Sequence, residues 1–201
     1  MKAIILLSVL LLSSCASLKP EEERPKLEVT EVNPNKWTAI TKQNLLHLSQ
    51  VYDLDPFLFT RKINIESRVI PHSHPVLTLN TRNAEQPKKI LATFLHEEMH
   101  WWLVTKKENV DAAIRDLKKI FPKVPAENKR GTYSTYLHLI VNYLELLALE
   151  HYLGPKEARA IIRDTMVKGK IYPWGYSKVL NNTKTLKRIL KKHQLFPHPL
   201  S

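Results

Sequence analysis

Two histidines and a glutamate stand one helical turn apart in the segment ATFLHEEMHWW, residues 92–102. His96 and His100 are four positions apart, and side chains with that spacing lie on the same face of an α-helix. Two imidazoles placed in this way can bind one divalent ion, and Glu97 lies beside the first of them. The H-E-x-x-H pattern therefore predicts a Zn²⁺ site, in which Glu97 takes a proton from the water that the metal polarises and passes it to the leaving group.

The rest of this helix is apolar almost all round, which indicates that the helix is buried. Burying two histidines and a glutamate without partners is costly, and a bound metal ion removes that cost. The alternative is a hydrogen-bonded polar cluster that lies in the core and holds no ion. The apolar positions around the motif are Leu91, Phe94, Leu95, Met99, Trp101, Trp102, Leu103 and Val104.

A catalytic zinc site needs three protein ligands and one position for water, so the two histidines do not complete it. The predicted helix 132–152 is apolar except for a line of polar residues, in which His138, Asn142 and Glu145 stand at i, i+4 and i+7. A line of this kind is explained if it faces the metal. Glu145 is the first choice for the third ligand and His138 is the alternative, the other residue then supporting a ligand.

The motif HEEMH, preceded by VLTLN and followed by a helix that bears Glu145, resembles the zincin metallopeptidases over roughly residues 61–153. A glutamate as third ligand would make the chain similar to the gluzincin branch. The resemblance implies a zinc peptidase in which an edge strand, here 76–80, binds extended substrate by strand addition. The metzincin extension of the motif is absent, since Leu103 and Lys106 occupy its positions, and this favours a ligand from a separate helix.

Zincins often supply a tyrosine or histidine that donates a hydrogen bond to the oxyanion. Tyr176 is the first candidate for this role, followed by Tyr172, because both lie in an aromatic segment predicted to be a loop between two helices. His138 is a further candidate if Glu145 binds the metal. The histidines of PHSHP, residues 71–75, have no third partner nearby in the sequence and are expected to belong to an ordinary loop.

Apolar periodicity predicts a mainly helical α+β domain over residues 37–201. Two segments, 61–66 and 76–80, alternate as strands do, with Pro71 and Pro75 in the loop between them, and they predict a small antiparallel sheet before the motif helix. Helices are expected over 39–52, 86–105, 109–121, 132–152, 156–167 and 177–193.

The N-terminus has the features of a bacterial lipoprotein signal peptide over residues 1–14. A lysine at position 2 precedes an apolar run that is too short to span a bilayer, and LSSC then resembles a lipobox ending at Cys15. We expect lipidation of Cys15, followed by a charged, proline-broken tether over residues 15–36. The alternative is an ordinary secretory signal with an incidental cysteine.

The formal net charge of +12 favours anionic partners such as lipid headgroups or cell-wall polymers. For a lipoprotein of the cell envelope, nucleic acid is not an expected partner. Ala16 follows the cysteine, and the resemblance to bacterial lipoproteins then implies attachment to the outer membrane, with the protein facing the periplasm. The alternative is a basic protein that has no anionic partner.

Taken together, these features predict a lipid-anchored zinc metallohydrolase of the bacterial envelope, most simply a peptidase that acts on a peptide or cell-wall substrate. One alternative is a catalytically silent zincin-like lipoprotein that binds or scaffolds envelope proteins, although such a protein has no use for Glu97. Another is a zinc-storing or metal-sensing protein, which should carry more exposed histidine clusters.

Overall fold

The computed structural model describes residues 26–125, 132–168 and 173–200. In this part of the chain, helices predominate and one small three-stranded sheet lies beside them, which confirms the α+β class. The helices are α1 (Lys36–Val51), α2 (Pro87–Val104), α3 (Lys107–Ile120), α4 (Thr132–Lys168), α5 (Pro173–Asn181) and α6 (Thr183–Lys192), and the strands are β1 (Glu28–Val32), β2 (Lys62–Glu66) and β3 (Leu77–Asn80).

The sheet has the order β1-β2-β3 and all its strands are parallel, so the predicted antiparallel pairing is wrong. After β2 the chain crosses to the outer edge of β3, where His72 pairs antiparallel with Thr78 through backbone hydrogen bonds of 2.8 and 3.1 Å. It then turns back and enters β3 in the direction of β2. Alternating hydrophobicity shows that a segment is a strand, but the path of the connection decides its direction.

The pairing with His72 also bears on the predicted binding of substrate at the edge of β3. The amide and the carbonyl of Thr78 that face outwards are both used by His72. Strand addition by an extended peptide needs those groups. The edge is therefore closed to a peptide at Thr78, in contrast to the expectation from the resemblance.

Strand β1 lies in the segment predicted as a tether, so that prediction is wrong for residues 28–32. Val29 pairs with Ile63 in the register of the sheet and packs against the core. The segment EVTEV places charged side chains on an edge strand of which only one face is covered, and its composition therefore looks like that of a linker. Cys15 and the signal segment 1–14 lie outside the described residues.

Helix α4 combines two predicted helices, 132–152 and 156–167. They meet at Gly154, whose φ of 76° lies in the left-handed region that favours glycine. The predicted helix 177–193 is instead divided into α5 and α6 at Asn182. The prediction of a loop in the aromatic segment is also wrong over Pro173 to Tyr176, because these residues form the first turn of α5.

Helix α2 is the central element of the fold, packed against α1, α4 and β3. Leu91, Phe94 and Leu95 on this helix are fully buried. Its buried Glu98 accepts hydrogen bonds from the backbone amides of Phe59 and Thr60 at 2.8 and 3.1 Å. Burial raises the pKa of Glu98 to about 8 despite these two hydrogen bonds. The motif helix is thus anchored on both its apolar and its polar sides.

None of the helices among the described residues is long and apolar enough to cross a membrane.

Candidate metal centre

Helices α2 and α4 bring three histidines together. One potential ligand nitrogen from each of His96, His100 and His138 lies within 4.8 Å of the other two. The ring centroids are 5.2 Å apart for the two motif histidines, and that of His138 lies 5.7 Å from His96 and 4.9 Å from His100. The alternative third ligand, His138, is therefore the residue that the structure groups with the motif histidines.

Hydrogen bonds at Nδ1 define which ring nitrogen of His138 carries the lone pair. Its Nδ1 lies 2.7 Å from the backbone carbonyl of Ser134, one turn earlier on α4. Because a carbonyl oxygen only accepts, Nδ1 must carry the hydrogen, and the lone pair of the neutral ring then lies on Nε2. This is the arrangement in which a metal-binding histidine is usually held.

Glu145 lies beside a ligand candidate and does not belong to the group of three. Its Oε2 lies 2.9 Å from Nδ1 of His96 and accepts a hydrogen bond of 3.0 Å from the hydroxyl of Tyr176. The carboxylate is almost fully buried. A carboxylate at Nδ1 orients the ring of His96 and leaves its Nε2 as the ligand atom.

The environment shifts the pKa values of the two motif histidines in opposite directions. Burial lowers the pKa of His96, but the hydrogen bond and charge of Glu145, together with the charge of Glu97, raise it by more, so that it lies above its usual value. Burial lowers the pKa of His100 to about 2, with contributions from His96 and His138. His100 is therefore neutral near pH 7, which is the form that binds a metal.

Glu97 is 6% exposed and lines a cavity of about 430 Å³. The three histidines, Glu145 and Tyr176 line the same cavity. A carboxylate in this position can exchange protons with a molecule bound next to the histidines. The structure thus assembles all the site residues predicted on α2 and α4 around one accessible space.

Tyr176 is buried, and its hydroxyl is directed to Glu145. Burial raises its pKa well above the usual 10, and the charges of Glu145 and Glu97 add to that shift. The phenol therefore keeps its hydrogen and remains a donor. Its predicted role towards an oxyanion stays a prediction, and the other candidate, Tyr172, lies outside the described residues.

His74 is a cavity residue that the sequence pattern does not reveal. Its ring stacks on that of Trp101 with centroids 4.1 Å apart, and its charge is among the causes that lower the pKa of His100. The H-x-H spacing of residues 72–74 is the only signal in the sequence. Its relevance follows from the path of the β2–β3 connection, which places these residues at the cavity.

The donor set fits a zinc ion. Three imidazoles are ligands of a kind that zinc prefers, and three protein ligands with space for water are typical of catalytic zinc sites. The carboxylate of Glu145 at His96 and the carbonyl of Ser134 at His138 supply the supporting contacts that such ligands usually have.

No known protein family, no curated protein and no solved structure matches this chain.

Proposed function

We propose that this protein is a zinc-dependent metallohydrolase that cleaves peptide bonds, of the zincin kind that its H-E-x-x-H motif resembles. The observation that carries the proposal is the convergence of His96, His100 and His138 beside Glu97 in an accessible cavity. A core polar cluster without a ligand has no need of such a cavity.

In this proposal the zinc ligands are His96, His100 and His138, and Glu145 holds His96 in position. The hydrogen bonds that Nδ1 of His96 donates to Glu145 and Nδ1 of His138 donates to Ser134 support this assignment, because they leave Nε2 of each ring as the ligand atom. This ligand set replaces the gluzincin-like one, in which Glu145 itself binds the ion.

A zinc ion would supply the Lewis acidity that makes water a nucleophile near neutral pH. Glu97 accepts a proton from the attacking water while the oxygen of that water forms a bond to the carbonyl carbon of the peptide. When the carbon–nitrogen bond breaks, Glu97 gives that proton to the leaving amine. Tyr176 keeps its hydrogen on the hydroxyl and, through Glu145, helps to fix the ring of His96.

We further propose that the enzyme acts in the bacterial envelope, attached by lipid on Cys15 to the outer membrane and facing the periplasm. The lipobox-like LSSC and the net charge of +12 support this setting. The substrate is then a peptide or a peptide-bearing cell-wall polymer, and anionic components of the envelope are further partners of the basic surface.

The experiment measures zinc content and peptide cleavage in the wild type, Glu97→Gln and His138→Ala. We expect one zinc per chain and cleavage of a peptide library in the wild type. The Glu97→Gln protein should keep its zinc and lose cleavage, whereas His138→Ala should lose both. Zinc binding without any cleavage by the wild type would favour the silent binding protein, and absence of zinc from all three proteins after reconstitution would contradict the metal site.

A further inference from the structure

The cavity at the metal centre continues along one face of helix α2. Lys89, Thr93, His96, His100 and Val104 all line it or the pocket that adjoins it. Each of these residues is three or four positions from the next, so they form one line along the helix. We name this surface the α2 groove.

The α2 groove is long enough for an extended chain. Lys89 and Val104 are 15 positions apart in α2, which at a rise of 1.5 Å per residue is about 22 Å. An extended peptide advances about 3.3 Å per residue, so the groove spans about six or seven residues. His96 and His100 lie near its middle, and a bound chain would therefore extend to both sides of the metal centre.

One end of the groove is an apolar pocket of about 340 Å³. It meets the main cavity at Ser73, His74 and His100, which line both spaces. The other residues that line the pocket are Leu103, Val104, Lys107, Val110, Tyr133 and Leu137.

The polar groups at the rim of this pocket are bound to each other. Lys107 pairs with Asp111 at 2.8 Å, and the hydroxyl of Tyr133 donates to the other oxygen of Asp111. Val104 and Tyr133 are nevertheless 60% and 47% exposed, so apolar surface remains open to a ligand. Such a pocket favours an apolar side chain.

The opposite end of the groove, at the N-terminus of α2, carries two basic side chains, of which one is already paired. Lys89 is paired with Asp164 at 2.5 Å. Arg82 lines the main cavity and, together with Gln86 at the start of α2, a further pocket at this end. Arg82 is exposed, and among the described residues it has no ion-pair partner. A guanidinium in this position can bind a carboxylate through two parallel hydrogen bonds.

We propose that the α2 groove selects a peptide with an apolar side chain on one side of the cleaved bond and an acidic group on the other. The apolar side chain occupies the pocket at Leu103 and Val104, and the acidic group binds Arg82. This inference depends on the proposed function for the position of the cleaved bond. The two recognition ends are argued from the residues that line the groove and do not depend on hydrolysis.

One peptide library of known sequences measures the residue preference at both ends of the groove. Cleavage by the wild type is analysed by mass spectrometry for residues enriched at fixed distances from the cut. Binding is analysed separately, from the peptides that immobilised Glu97→Gln protein retains. Arg82→Gln and Val104→Asp probe the two ends, and Arg188→Gln and Val167→Asp are matched controls at exposed positions outside the groove.

We expect acidic residues on one side of the cut and apolar residues on the other. Arg82→Gln should lower the acidic preference at least about threefold and leave the apolar preference unchanged. Val104→Asp should lower the apolar preference about tenfold and leave the acidic one unchanged. Both controls should behave as the wild type.

Failure of this inference differs from failure of the proposed function. Suppose that no peptide is cut but the retained peptides carry both groups, and that the two variants change the enrichment of those groups as described. The proposed hydrolysis is then wrong and the assignment of the groove stands. If neither the cut nor the retained peptides show the paired preference, or if the variants leave it unchanged, the assignment of the groove is overturned.

Discussion

One carboxylate oxygen of Glu145, on α4, lies 2.9 Å from Nδ1 of His96, on α2. The two residues are 49 positions apart in the chain, and their contact joins the motif helix to the helix that also supplies His138. The same oxygen receives the hydroxyl of Tyr176 from α5, so three helices meet at a single atom. This relationship makes Glu145 the residue that orients the site.

Replacing Glu145 by Gln should weaken zinc binding without abolishing it. Loss of a carboxylate behind a histidine ligand typically lowers metal affinity 10- to 100-fold. Competition with a chromophoric chelator measures this affinity. The control is Glu157→Gln, at a half-exposed position on the same helix where the carboxylate pairs with Lys88 and does not line the cavity. If the Glu145→Gln protein binds no zinc while His138→Ala still does, Glu145 is the third ligand after all.

Replacing Tyr176 by Phe should reduce activity only modestly. Its hydroxyl is directed to Glu145, so we expect kcat/KM to fall by less than about tenfold and zinc affinity to fall with it. A donor that binds the oxyanion directly would cost about 100- to 1000-fold in kcat with zinc affinity unchanged. Steady-state kinetics and zinc titration of the same preparation separate these two outcomes.

Replacing Asn142 by Leu should stabilise the protein. Asn142 is fully buried, and within the described residues neither atom of its side-chain amide has a hydrogen-bond partner. Replacing an unsatisfied buried amide by an apolar group of similar size should raise the free energy of unfolding by about 1–3 kcal/mol. Urea denaturation measures the change, and zinc content serves as the control. A less stable variant, or one that loses zinc, would show that the amide has a partner in the site.

Asp116 should make stability depend on pH in the acidic range. The hydrogen bonds from Lys192 and His193 lower its pKa to about 2. A lowered pKa means that the native state binds the proton less tightly than the unfolded chain, so the stabilisation is present above about pH 4 and is lost as the pH falls towards 2. The melting temperature of Asp116→Asn should lie below that of the wild type at pH 7.

The same pair of proteins gives the control for this prediction. The difference in melting temperature should shrink as the pH is lowered from 7 to 3, and it should also shrink in high salt because the site is partly exposed. A difference that does not change with pH would mean that the carboxylate charge does not stabilise helix α6 against α3.

The spacing of residues in the sequence determined those parts of the site that depend on one helix. His96, Glu97 and His100 are fixed relative to each other by the helical repeat, which is local and needs no knowledge of the fold. The bounds of α2 and the polar line of His138 and Glu145 on α4 follow from periodicity in the same way.

Only the tertiary structure decided which residues meet across elements. Whether His138 or Glu145 joins the motif histidines depends on where α4 crosses α2, and packing between helices sets that crossing. The direction of β3 and the position of His74 depend on the path of one loop. Strand β1 forms because it pairs with β2, and β2 lies more than thirty positions further along the chain, beyond the reach of any local pattern. Local pattern fixes the side of an element that a residue occupies, but long-range packing fixes its neighbours.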